Sequence, residues 1–117
     1  MILAAALSGC ASVDGLSPDE AIAEYTGRIR RNPNNALVHN NRGIAYKDKG
    51  DYDRAIADFT EALRLDPDYA VACINRGVAY HDKRDMDKAR ADLEKALQLD
   101  PAHSSARELL EALRSEG

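Results

Sequence analysis

The sequence predicts an all-α fold, a short solenoid of stacked helix–turn–helix hairpins. Three observations carry this. The chain matches itself at a shift of 34 residues: Pro33, Pro67 and Pro101 fall into line, and Gly43, Tyr46, Ala55 and Ala62 meet Gly77, Tyr80, Ala89 and Ala96. More than half of the positions in 36–69 recur identically in 70–103. Within each unit the apolar residues recur at three- and four-residue steps, the stripe of an amphipathic helix. A period between about 20 and 50 residues marks an architecture in which one supersecondary unit stacks on the next.

Taken in order, residues 18–35 read as a degenerate half-repeat. The segment D-E-A-I-A-E-Y-T-G-R-I-R-R-N-P at 19–33 aligns with 53–67 as a second helix without its partner. Ser17-Pro18-Asp19-Glu20 opens it as a capping box with proline at the first helical position. Gly27 and Arg28 stand where the later unit has Glu61 and Ala62. Residues 36–69 form the first full repeat. Ala55, Ile56, Phe59, Ala62 and Leu63 line its second helix, Gly50-Asp51 breaks the two helices apart, and Asp51 caps the second. Asp66-Pro67 ends the unit, because proline lacks the backbone donor and restricts the residue before it. Residues 70–103 repeat the pattern, with Arg84 in place of the inter-helix glycine and Leu93 in place of Phe59. Residues 104–117 read as a capping helix, opened by the Ser105 and Glu108 spacing.

The small residues have a packing reason. Glycine in the middle of a helix costs about 1 kcal/mol against alanine. Close approach of a partner helix at Gly43 and Gly77 offsets that cost. Ala55, Ala62, Ala89 and Ala96 supply the small opposing surfaces, and Tyr46, Phe59, Tyr80 and Leu93 fill the space between helices.

The run N-R-G-I-A-Y…G-D-Y-D-R-A-I-A-D-F-T-E-A-L-R-L-D-P at 41–67 recurs as N-R-G-V-A-Y…A-R-A-D-L-E-K-A-L-Q-L-D-P at 75–101. It resembles the tetratricopeptide repeat (TPR), and with its flanks the resemblance covers residues 19–115. The family's early aromatic is replaced by His39 and Cys73. The resemblance implies a concave face lined by the first helix of each hairpin, with a partner protein or peptide held there. Leu37, Asn40, Asn41, Ile44, Lys47 and Asp48 are expected to point into that groove, with Val71, Ile74, Asn75, Val78, His81 and Asp82 in the next repeat. Asn41 and Asn75 can each offer a donor and an acceptor to a peptide backbone; the competing reading is that they bond within the hairpin. Some members grip a C-terminal carboxylate with Lys, Asn and Arg on successive first helices. Here Asn40 and Ile74 occupy the Lys position, and Ile44 and Val78 the neighbouring Asn position. Only the Asn41 and Asn75 positions are kept, so such a clamp is not expected.

The N-terminal stretch M-I-L-A-A-A-L-S-G-C-A-S carries no charge. Leu7-Ser8-Gly9-Cys10 matches the lipobox of bacterial lipoproteins. Residues 1–9 read as a signal remnant, and residues 10–17 as a lipidated Cys10 with a short tether. No Lys or Arg precedes the apolar run, so the expected start lies upstream. Ala11 and Ser12 follow Cys10, with no Asp beside it, which favours the outer membrane of a diderm envelope. Two alternatives stay open. One is that residues 2–14 are the missing first helix, since Gly9 lies 34 before Gly43; against it, Ser12 falls at the Tyr46 position. The other is a cytosolic adaptor with a miscalled N-terminus.

Composition narrows the function. At 117 residues there is room for one small domain. Net charge is −4, against the basic stripe of a nucleic-acid binder. No apolar run approaches the roughly 20 residues that span a bilayer. With Cys10 acylated, Cys73 is alone and reads as a small buried hydrophobe rather than a reactive thiol. There is no Gly-rich phosphate loop and no nucleophile elbow. His39, Cys73 and His81 lack the paired spacings of a zinc site. Asp48, Asp51, Asp53, Asp82, Asp85 and Asp87 flank the inter-helix turns, where aspartate caps helices and suits the positive dipole end. The expectation is a non-catalytic envelope adaptor without cofactor or metal. Its partners would be a protein or peptide and, through the lipid, a membrane. The half-repeat is the edge expected for a homodimer, because Ile22, Tyr25 and Ile29 have no first helix in front of them.

Overall fold

The computed structural model describes residues 15–116. Cys10, the signal remnant and the first part of the tether lie outside the described residues. Six helices follow in order: α1 (Pro18–Arg31), α2 (Ala36–Asp48), α3 (Tyr52–Leu65), α4 (Ala70–Asp82), α5 (Met86–Leu99) and α6 (Ser104–Glu116). Each packs on the next in sequence, and α2 also touches α4. The architecture is therefore the expected stack: a lone helix, two hairpins and a closing helix.

Local chemistry sets the boundaries. Ser17 and Glu20 form the expected capping box, with Glu20 N–H donating to Ser17 Oγ at 3.1 Å and Ser17 N–H to Glu20 Oε1 at 2.9 Å. Asp51 and Asp85 cap α3 and α5, each accepting from the backbone N–H three residues on. Between the hairpins, Asn32, Asp66 and Asp100 precede the three aligned prolines. Each accepts from the N–H two residues later, which turns the chain. The turns inside the hairpins are also equivalent. Asp51 and Asp85 N–H reach back to Tyr46 and Tyr80 C=O, a Schellman closure that puts Gly50 at φ 84° and Arg84 at φ 70°.

The core runs as a string of clusters along the stack, as a repeat array requires. Ala21, Tyr25, Val38 and Ala45 join α1 to α2. Ala55, Phe59 and Ala79 join the two hairpins. Cys73, Ile74, Leu93, Ala106, Leu110 and Leu113 hold the last three helices. Ala55, Ala62, Ala89 and Ala96 are fully buried, as their smallness implied.

Two expectations need correction, on Ser105 and on Asp48 and Asp82. α6 starts at Ser104, with His103 C=O accepting the first helical bond, so Ser105 lies inside the helix and not at its cap. Tyr46 and Tyr80 are only half-buried. Both pack against the core clusters on one side, while Arg42 and Arg54 lie over the Tyr46 ring and Lys88 over Tyr80. Asp48 and Asp82 end α2 and α4, at the negative end of each helix dipole rather than the positive one. Tyr25 is buried, and Ile22 and Ile29 are half-buried against the α1–α2 cluster.

Candidate functional site

Hydrogen bonds lay the first helices side by side. Asn75 Nδ2 on α4 donates to Asn40 Oδ1 on α2 at 3.0 Å. His81 Nε2 on α4 stands 3.2 Å from Glu116 Oε1 on α6. Together α2, α4 and α6 present one continuous inner face, while α3 and α5 back it.

That backing is held by two matched ion pairs. Arg42 donates to both carboxylate oxygens of Asp58 at 2.8 Å, and Arg76 does the same to Asp92. Each guanidinium also reaches the second helix of the preceding unit, at Thr26 and Thr60. One arginine per repeat therefore fastens its own hairpin and the stack behind it. The bond to the partner aspartate raises the pKa of each guanidinium, against the opposing effect of burial. Sequence reasoning passed over these pairs. The signal was present: Arg and Asp are identical in both repeats at one spacing, and Thr26 and Thr60 share a register.

The twelve groove positions divide. Leu37 and Val71 are 55% and 44% exposed, in the same register on adjacent helices. Asn41, Ile44, Lys47, Asn75, Val78 and His81 are half-buried, and Asp48 and Asp82 are exposed. Asn40 and Ile74 do not point outward: they are 2% and 7% exposed. The next first helix covers that register. Asn40 meets Asn75, and Ile74 packs in the cluster with Ala106 and Leu110 of α6. Asn75 spends a donor on Asn40 of the preceding hairpin, so this asparagine bonds between hairpins and not within its own.

Two recesses open on the inner face. At the N-terminal end, Leu16, Ala21 and Tyr25 with Asn41, Ile44 and Asp48 line a recess of about 370 Å³. At the other end, Val78 and His81 with Leu93, Leu109, Leu113 and Glu116 line a cleft of about 90 Å³. In the first hairpin the Phe59 ring presses on Gly43; in the second, the shorter Leu93 stands beside Gly77, and both line the cleft.

Among the described residues no His, Cys, Asp and Glu group is placed to hold a metal ion. No described helix is long and apolar enough to cross a membrane. Cys73 is buried, and burial first, then the Asp92 charge, pushes its thiol up from its ordinary pKa.

The geometry defines a class: a helical-hairpin solenoid with an inner face built from first helices. The tetratricopeptide repeat family profile matches residues 36–69 and 70–103, and the chain belongs to that family. No curated protein matches the chain in sequence. Solved TPR domains match it in structure. The Arabidopsis OM64 TPR domain superimposes with a TM-score of 0.85 at 29% identity, over 88% of this chain and 85% of that one. The first TPR of Spaghetti (RPAP3), bound to the HSP90 peptide SRMEEVD, gives 0.82 at 29% identity, over 85% and 79%. The second TPR domain of human RPAP3, in complex with the HSP70 peptide SGPTIEEVD, gives 0.79 at 33% identity, over 83% and 81%.

Proposed function

We propose that the protein is a non-catalytic adaptor that holds a peptide or helix of a partner protein on the inner face of α2, α4 and α6. The carrying observation is the matched pair Leu37 and Val71, large apolar side chains left exposed in one register of that face. Scattered apolar residues are ordinary on a surface. Two in register, above the half-buried Ile44 and Val78, make an apolar strip. The peptide complexes of the RPAP3 domains support the reading, since those chains share this fold. The test is binding of peptides panned from a random phage-displayed library on the pure protein. Leu37→Ser/Val71→Ser should lose that binding while circular dichroism stays helical. Retained binding in the folded double variant would overturn the reading.

The setting we propose is a bacterial envelope, with Cys10 carrying the lipid and the outer membrane favoured. What supports it is the Leu7-Ser8-Gly9-Cys10 motif. Stable anchoring takes more than one acyl chain, at about 0.8 kcal/mol per buried CH₂, and a lipobox cysteine receives several. Membrane fractionation of Cys10→Ala against wild type, both carrying an added basic leader, decides between this and a cytoplasmic adaptor. Loss of the membrane fraction only in Cys10→Ala is expected. Equal soluble fractions would place the same adaptor in the cytoplasm.

A further inference from the structure

The peptides bound by the RPAP3 domains end in E-E-V-D. The inner face of this chain carries the opposite chemistry to the one that would attract them. Asp48, Asp82 and Glu116 stand 34 residues apart in sequence, each as the last residue of a first helix. A carboxylate there opposes the helix dipole and is disfavoured by it. The same unfavourable placement recurs three times along one edge of the apolar strip.

The nearby cations do not neutralise it. Lys49 pairs with Asp19 at 2.5 Å and Lys83 with Asp53, so the lysines that follow α2 and α4 are drawn away to second helices. Lys47 is the cation left on the α2 side of the face. On α4, His81 lies between Asp82 at 3.5 Å and Glu116 at 3.2 Å, one imidazole facing two carboxylates. Arg42 and Arg76 are fastened to Asp58 and Asp92 behind the face. The negative edge is thus continuous with an apolar strip and ends at the Val78–Leu93–Leu113 cleft, which Glu116 and His81 also line.

We propose that this face takes an amphipathic basic segment of a partner protein: one aliphatic side chain enters the cleft, and Lys or Arg residues on either side pair with Asp48, Asp82 and Glu116. This deepens the reading of the inner face as a peptide site and rests on it. The opposed signs steer association and reject acidic tails, since like charges brought together cost affinity. The cleft supplies the buried anchor that a small interface depends on.

The experiment pans a random phage-displayed peptide library on the pure protein and measures synthetic consensus peptides by fluorescence anisotropy. The expected consensus has Lys or Arg flanking Leu, Ile or Met. Its affinity should fall roughly tenfold or more in Asp48→Asn/Asp82→Asn/Glu116→Gln, and fall with added salt. Leu93→Phe should also abolish it by filling the cleft, because Gly77 leaves room for the ring as Gly43 does for Phe59. Leu109→Phe, at the half-exposed rim, repeats the test should the core variant not fold. An acidic or neutral consensus bound on this face, or a basic one indifferent to the triple amide variant, overturns the charge assignment and leaves the peptide site standing. Unchanged affinity in both cleft variants overturns the anchor. A consensus that binds elsewhere, or no consensus at all, overturns the peptide site itself.

Discussion

A Cβ placed on Gly43 would stand 2.6 Å from Cε1 of Phe59, far inside van der Waals contact. The Phe59 ring is fully buried and has nowhere to retreat. Glycine and phenylalanine are therefore one joint between α2 and α3. At the equivalent joint, a Cβ on Gly77 would meet Leu93 Cγ at 3.3 Å and Ala89 C=O at 3.2 Å.

Gly43→Ala is accordingly expected to destabilise by about 1–3 kcal/mol through overpacking, despite alanine's better helix propensity. Phe59→Leu placed beside it should recover part of the loss by recreating the looser second joint. Urea midpoints of the two single variants and the double give the coupling. Additive effects would separate the two residues.

Arg76→Met leaves the Asp92 carboxylate, 9% exposed, without its bidentate partner. The expected cost is about 2–3 kcal/mol, at the low side for a broken buried pair because Arg76 keeps 23% of its side-chain exposure. Arg54→Ala, at an exposed pair with Asp51, should cost under about 1 kcal/mol. Thermal denaturation of both variants checks the contrast, and equal losses would contradict it.

Arg84 occupies the left-handed region at φ 70°, where the first repeat has Gly50. A left-handed residue with a Cβ costs about 1–2 kcal/mol, and part of that returns as unfolded-state entropy when glycine replaces it. Arg84→Gly should therefore raise stability by about 0.5–1 kcal/mol, read as a higher urea midpoint.

The Cys73 thiol is held above its ordinary value of 9.0, mainly by burial. An acid whose folded pKa is raised adds stability below the unfolded pKa and loses it as pH rises through the folded one. In a Cys10→Ser background, stability should fall on the alkaline side of pH 9, and Ellman's reagent at pH 8 should label Cys73 at the rate of unfolding. Immediate labelling of the native protein would contradict the buried position.

Much of this fold is legible in local chemistry. Ser17 and Glu20 announce α1, the aligned prolines mark each unit, and Ala55 and Ala89 state how closely the helices approach. The inner face was harder, because a first helix is covered on one side by the next. Asn40 and Ile74 lie one position from Asn41 and Asn75, and that step turns them under α4 and α6. Asp48 and Asp82 read as turn caps, but each is the last residue of its helix, and this reverses the sign of its dipole interaction. The Leu93 substitution was visible, yet its cleft exists only because Leu109 and Leu113 of α6 close the far wall.

The central claim is that α2, α4 and α6 form the binding face. Titration of the ¹⁵N-labelled protein with a library-selected peptide tests it most directly, through backbone amide shifts. The account predicts perturbations at Leu37, Ile44, Val71, Val78 and Leu109, with α3 and the outer side of α5 unmoved. Perturbations confined to α3 and α5, or to α1 alone, would contradict it.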